Sequence, residues 1–518
     1  MTGLRMNRRR LLGIAAVGGA AAITGCSIDT GSQDVGGAKT QQNLKKISIP
    51  DYPGELPKGE VTFRWTDSGD LKSVFEEGVL DAYSKKHANI KTHYQGSGWD
   101  TVNQEIPLGI RNKSAPDIFA VPDNVPAATA VNEGWVHPLE DIVPDFDNWK
   151  ANFGENAFIP GVHVFDGKTY SWPMSSNHRL GYMSFYDVDN MKAAGYDDPV
   201  GQIKTWDDLY AALKKVKKNG NVGMMVGGDA LAGVVSFLAN SVGWHGLGGL
   251  TPVGGMDLAT GKYVYSDPKM VQAFDFMQKL ATDKLLVPGY LNLLQADARA
   301  QMTSGKAGVI FNGPWDLPAW KQTAPDWKYD MGIVPSPDGQ GYVNPYQETG
   351  ANNPWVYKET KYPTVAGHLM AYMGSTDGQR MQVILSEGNL RSLIPKANEQ
   401  ANQSGLLDEH AKRAAALADQ ILRTAPLVQI RNPDYANVLL SYKAVQPAWT
   451  DLMQGIFTGQ LKNAAAQFKK MDSASEQALE DALTAAAKKG SSLTRDDFVF
   501  SNWDPTKNYT ADDYKSLG

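Results

Sequence analysis

An α/β protein built as two lobes is what this sequence predicts, and three observations carry the expectation. The chain has 518 residues, more than one ordinary core serves. From Val61 to Val121 its apolar residues switch between period two and period 3.6 in the order β-α-β-α-β, which implies a largely parallel sheet. The same alternation starts again after Thr205. With 42% hydrophobic and 20% charged residues the composition is globular, which sets aside collagen-like and wholly disordered classes.

The N-terminus speaks to compartment. Arg5, Arg8, Arg9 and Arg10 precede an uncharged apolar run from Leu11 to Thr24. That run is shorter than the roughly 20 apolar residues a spanning helix needs, so it reads as the core of a signal peptide. Arg8-Arg9-Arg10-Leu11-Leu12 resembles a twin-arginine export signal, ordinary secretory export being the alternative. Ile23-Thr24-Gly25-Cys26 follows directly and looks like a bacterial lipobox. Cys26 is the sole cysteine, so intramolecular disulfides are excluded and the thiol is expected to be lipidated. Acyl chains, at about 0.8 kcal/mol per buried methylene, would hold the mature protein on a membrane. Loss of the four arginines in residues 1–25 takes the formal charge from −6 to −10, which argues against nucleic acid as a partner. Residues 27–59, rich in Ser, Gly, Gln, Asp and Lys, read as a flexible tether.

Order is expected from Val61. Val61 to Trp65 alternates like a strand and ends in the turn Thr66-Asp67-Ser68-Gly69. Leu71, Val74, Phe75, Val79, Ala82 and Tyr83 then repeat at helical spacing. Ile90 to Tyr94 is a second strand. Val102, Ile106 and Ile110 mark a helix kinked by Pro107, and Ile118 to Val121 is a third strand. Further on, Thr205-Trp206-Asp207-Asp208 resembles a capping box that opens a helix carrying Leu209, Leu213 and Val216. Val222 to Val226 is a strand leading into Gly227-Gly228-Asp229. Ala307 to Phe311 is another, stopping at Asn312-Gly313-Pro314-Trp315. From about Leu406 to Lys489 the pattern is mostly helical.

Enzyme signatures are missing. No His-Glu-x-x-His, no paired cysteines, no G-x-S-x-G and no calcium loop occurs, and Gly167-Lys168-Thr169 lacks the spacing of a phosphate-binding loop. What stands out is Trp, Asp and Asn at strand ends, where open α/β sheets bind ligands. Trp65 with Asp67, Asp123 with Asn124, Asp229, and Trp315 with Asp316 all sit there. A sugar needs fixed acceptors and amides for its hydroxyls and a flat aromatic wall for its C–H face. For any one of these residues a place in the core, or a helix cap, is an equal alternative.

Asp166-Gly167-Lys168-Thr169-Tyr170-Ser171-Trp172-Pro173 looks like the G-K-x-Y-x-x-P signature of carbohydrate solute-binding proteins of the maltose-binding type. Phe185-Tyr186-Asp187, Ala193-Ala194-Gly195 and Thr205 to Leu209 are similar to that family's Y-N-K-D…K-A-G…T-W-D-E-L block, with Asp187 in place of the usual Asn. Ser304 to Gly308 with Gly313-Pro314-Trp315 resembles its G-K-A-A-M…G-P-W motif, and the Tyr362-Pro363 to Gly378-Gln379 stretch its later helix pair. The Phe500 to Pro505 segment looks like the tail of longer, oligosaccharide-associated members.

The resemblance implies a periplasmic-binding-protein-like fold of type II, with a hinge crossed more than once and a helical C-terminal region. It places one lobe at 60–173 and 352–425, the other at 174–351 and 426–500, and an aromatic tail at 501–518. Crossings are expected near Pro173 to Asn177 and Glu348 to Asn353. Family ligand positions fall on Trp65, Asp67, Asp123, Asn177, Asp229 and Trp315, with Asn124 and Asp316 beside them. Trp99, Trp172, Trp244, Glu348 and Asn353 are further candidates, whereas Trp206 and Trp327 are expected in cores. By the same resemblance the protein is a monomer that captures a carbohydrate outside the cell for the membrane subunits of an ABC importer, without catalysis, cofactor or metal. A secreted enzyme acting on polysaccharide, or a binder of another polar solute, is the alternative. A cleft lined by aromatic residues would support sugar, and one lined by Arg or Lys an anion.

Overall fold

The computed structural model describes residues 38–122, 125–154, 156–248 and 251–517. Its first sheet is made of β1 (Val61–Asp67), β2 (Ile90–Gly96), β3 (Ile118–Ala120) and, from far along the chain, β8 (Pro354–Val356), in the order β8-β3-β1-β2. β1 runs parallel to β2 from the pair Val61 and Ile90 to the pair Asp67 and Gly96, and parallel to β3, while β8 is antiparallel to β3. Strand alternation sends Phe63 and Trp65 to one face, where both are fully buried. The helix Ser73–Lys86 covers that face with Phe75, Val79, Leu80 and Tyr83, at the 3–4 residue spacing that puts side chains on one stripe.

The second sheet consists of β4 (Met183–Asp187), β5 (Val222–Met225), β6 (Ala307–Asn312) and β7 (Tyr329–Gly332), in the order β7-β4-β6-β5. Here only β5 and β6 are parallel; β4 is antiparallel to both its neighbours. The sheet is therefore more mixed than the expected parallel one, because the chain enters this lobe on β4 against the direction of the strands that follow. Helix Trp206–Lys218 opens with the anticipated capping box between Thr205 and Asp208.

Packing locates the lobes. Trp172 and Met174 belong to the first core and Leu180 to the second; Val334 lies in the second and Val356 in the first. The two crossing segments lie side by side, with antiparallel bridges between Ser171 and Trp355 and between Ser175 and Ala351. A third crossing follows Leu407, the last residue of the first core; Ala414, Ala418 and Ile421 of helix Glu409–Ile421 pack in the second. The return drawn at 425 thus comes earlier, because the alanine stripe of that helix buries against the second lobe. Of the aromatic tail, residues 501–517 are described and pack on the second lobe: Trp503 and Tyr509 are part of the second core, and the Tyr509 N–H donates to Thr424 O at 2.9 Å.

Residues 38–59 are likewise ordered rather than a tether. They begin with helix Ala38–Leu44, and Ile47 and Ile49 are buried in the first core. Lys86 Nζ donates to Ile49 O at 2.7 Å. Two isoleucines two residues apart, hidden in a polar composition, suffice to dock the segment. The signal-peptide reading, Cys26 and residues 27–37 lie outside the described residues, none of whose helices is long and apolar enough to cross a membrane.

Candidate ligand-binding cleft

The C-terminal edges of β5 and β6 form one wall. Gln295 ties them together. Its Oε1 accepts from Gly227 N at 2.7 Å, its Nε2 donates to Phe311 O at 3.1 Å, and its backbone N–H donates to Asp229 Oδ1 at 2.8 Å. Asp229 is exposed and held in place by that bond. Just past β6, half-buried Trp315 folds back over Gly313, where a Cβ would come within 2.0 Å of the indole ring; only glycine permits this approach. The Arg179 guanidinium lies over Trp315, 5.2 Å from the ring centroid. Asp316 points away from the opening. It is fully buried, with Arg299 Nη1 at 3.3 Å, and burial pushes its carboxyl up to about 7 against the pull of that arginine.

The opposite wall is the end of β1, and there Trp65 is a core residue. It is fully buried, with Tyr94 edge-on at 6.2 Å, because it shares the inward face with Phe63. Asp67, 1% exposed, forms an ion pair with Lys72, which is almost as deeply buried. Beneath them Glu76 is enclosed and accepts from the Tyr94 hydroxyl at 2.6 Å. Desolvation, with the nearby Asp67 charge, pushes Glu76 up to about 8. The accessible aromatic on this wall is Trp99, 41% exposed, whose ring lies 5.9 Å from Lys72 Nζ. Asp123 and Asn124, expected here, lie outside the described residues.

At the hinge Asn177 and Glu348 meet each other. The Glu348 carboxylate accepts from Asn177 N at 2.9 Å, from Gly350 N at 3.1 Å and from the Ser176 hydroxyl. Asn177 Nδ2 donates to Thr349 Oγ1 at 2.9 Å and Gln347 O at 3.2 Å. Burial raises the Glu348 pKa, the three donors opposing it. Gly350 adopts φ +67°, and a Cβ there would come 2.3 Å from Pro173 Cβ, so the two strands can pass this closely only with glycine. Asn353 is half-buried beside this junction, its Oδ1 without a partner among the described residues.

Of the expected ligand positions, then, Asp229 and Trp315 share one wall, Asn177 and Glu348 the hinge, and Asp67 the buried support of the other wall. Trp244 is a second-lobe core residue, 2% exposed, with its N–H on Val264 O at 2.8 Å. Trp172 is fully buried against Trp149. Trp206, expected inside, stacks on Phe276 at 4.6 Å, and Trp327, half-buried, donates to Asp187 Oδ2 at 2.7 Å. Arg179, Gln295 and Lys72 were not legible as site residues, since none sits directly at a strand end. Among the described residues no group of three or more His, Cys, Asp or Glu is placed to hold a metal ion.

Known proteins share this architecture. The GacH receptor of Streptomyces glaucescens, solved unliganded and with acarbose, superposes with a TM-score of 0.58 at 17% identity, covering 82% of this chain and 99% of that one. An ABC transporter extracellular-binding protein of Pyrococcus horikoshii, itself uncharacterised, is 26% identical over 336 residues, 62% of this chain and 70% of its own. The sn-glycerol-3-phosphate-binding periplasmic protein UgpB of Brucella abortus is 24% identical over 278 residues, 53% of this chain and 60% of its own. The family profile described as bacterial extracellular solute-binding protein matches residues 78–415, well over half of the chain. With that match on a two-lobed fold with a three-pass hinge, the chain belongs to the bacterial extracellular solute-binding protein family.

Proposed function

We propose that this protein captures a carbohydrate, in particular an oligosaccharide, outside the cell and delivers it to an ABC importer. Trp315 carries the reading: a half-buried indole at the open end of β6, with the exposed carboxylate of Asp229 on the same wall. An aromatic face with fixed polar groups around it matches the two-sided chemistry of a pyranose ring. The GacH complex with acarbose and the ABC-transporter relative support the same reading. The protein works as a monomer, binds without catalysis, and closes its lobes on the ligand about the hinge. A glycan panel titrated calorimetrically against the full-length protein tests this. Saturable binding of an oligosaccharide is expected, with compaction in small-angle scattering. Trp315→Ala should weaken it by about 1–3 kcal/mol, the scale of a buried contact at the centre of an interface. Turnover of a glycan by the protein would count against a pure binder.

Membrane attachment through Cys26 completes the reading. It is supported by the lone cysteine behind an apolar signal core. Cys26→Ala should leave an uncleaved precursor or release the protein from the membrane fraction. A variant that sediments with membranes at the normal mature mass would refute the anchor.

A further inference from the structure

We propose that the captured ligand carries an anionic group, a carboxylate or a phosphate, and that Arg179 recognises it; the inference rests on the carbohydrate reading above. Arg179 stands two residues after Asn177 of the hinge and four before β4, at the mouth of the second lobe. It is half-buried, and its guanidinium lies over Trp315, the residue assigned to the sugar face. Among the described residues that guanidinium has neither an ion-pair partner nor a hydrogen-bond acceptor. Burial alone lowers its pKa, with no acidic group working the other way. An indole face attracts a cation but offers no acceptor to its five N–H groups.

The surroundings sharpen the point. Arg179 also lines a narrow cavity of about 20 Å³ between the lobes, room for about one water, together with Pro314 and Leu317 on its own side and Glu387, Asn389 and Arg391 on the other. The other charged groups there are matched. Glu387 is held by Lys321 at 3.0 Å, and Arg391 by Asp419 at 2.9 Å. Lobe closure would withdraw Arg179 further from water, and a buried unpaired charge is costly. A neutral sugar supplies hydroxyl acceptors but no countercharge. A uronate carboxylate or a sugar phosphate supplies both, in the planar two-oxygen geometry that a guanidinium fork fits.

Three probes separate the outcomes by calorimetry on the full-length protein: a uronate-terminated disaccharide, the neutral disaccharide of the same linkage, and a hexose 6-phosphate. An anionic probe is expected to bind at least about 10-fold tighter than the neutral disaccharide, and which of the two wins identifies carboxylate or phosphate. Arg179→Gln should reduce its affinity by roughly 30-fold or more, the scale of truncating one partner of a buried charge pair. Arg179→Lys should recover part of the loss, and the melting temperature of the unliganded protein should stay unchanged. Equal affinity for neutral and anionic probes would overturn the inference and leave carbohydrate capture standing. So would an Arg179→Gln variant that melts earlier yet binds as before, since the arginine would then be structural. Failure of every saccharide, charged or neutral, to bind would overturn both.

Discussion

Lys72→Met is expected to destabilise the protein by about 3–5 kcal/mol in denaturant unfolding, the cost of stranding one member of a buried ion pair. Both partners are essentially out of water, with side chains 4% and 1% exposed. Without the ammonium, Asp67 keeps only the Ser68 backbone and hydroxyl donors on Oδ1, while Oδ2 has no hydrogen-bond partner among the described residues. Because the penalty belongs to the stranded carboxylate, Asp67→Asn added to Lys72→Met should recover a good part of it. A loss under about 1 kcal/mol, the range of surface pairs, would show that water reaches the pair. Ligand affinity should fall as well, since Trp99 leans on the Lys72 ammonium.

The second large effect concerns pH. Glu76 is lifted from 4.5 to about 8, first by burial and then by the Asp67 charge, against the opposing pull of Lys72 and of the Tyr94 hydrogen bond. Below about pH 4.5 the folded and unfolded chains both hold the proton, and Glu76 costs nothing. Between 4.5 and 8 the unfolded chain releases a proton that the folded chain retains, so stability falls as pH rises, and the fall levels off above 8. At pH 7 the accumulated cost is roughly 3 kcal/mol, at 1.36 kcal/mol per pH unit. Glu76→Gln removes the titration while its amide oxygen can still accept from Tyr94. The variant should therefore be more stable than the native protein at pH 7 by a sizeable part of that amount, and flatter across the window. Denaturant midpoints measured from pH 4.5 to 8.5 decide it: parallel curves for the two proteins would mean that Glu76 is ionised and solvated.

These residues also show why sequence reading reached the fold more fully than the site. Strands and helices follow from apolar spacing, and Phe63, Phe75, Val79 and Val216 lie inside as their periods require. A polar residue at a strand end carries no such constraint. Asp67 and Asp229 end equivalent segments, yet one is locked to a lysine five residues on and the other faces solvent. Trp65 could have been placed in the core from sequence, because period two puts it with Phe63. Trp244 follows no regular period in a glycine-rich stretch, so its burial was not readable. Arg179 was unreadable for a different reason. Its meaning comes from its having no ion-pair partner among the described residues, and that shows only once Trp315 and the Glu387–Arg391 segment have been brought beside it.

The threefold crossing also constrains biosynthesis. β3 is paired by β1 on one side, but its other edge waits for β8, which is made only after the whole second sheet. A nascent or truncated chain ending within the second lobe therefore presents Ile118–Ala120 with an open row of amides and carbonyls, the kind of edge that recruits other strands into aggregates. The first sheet cannot close until β8 has emerged behind the whole second sheet, so synthesis of β3 and completion of its sheet are separated in time. Truncations after β7 are thus expected to be taken up by chaperones or to precipitate, whereas cuts beyond Val356 leave the first sheet closed.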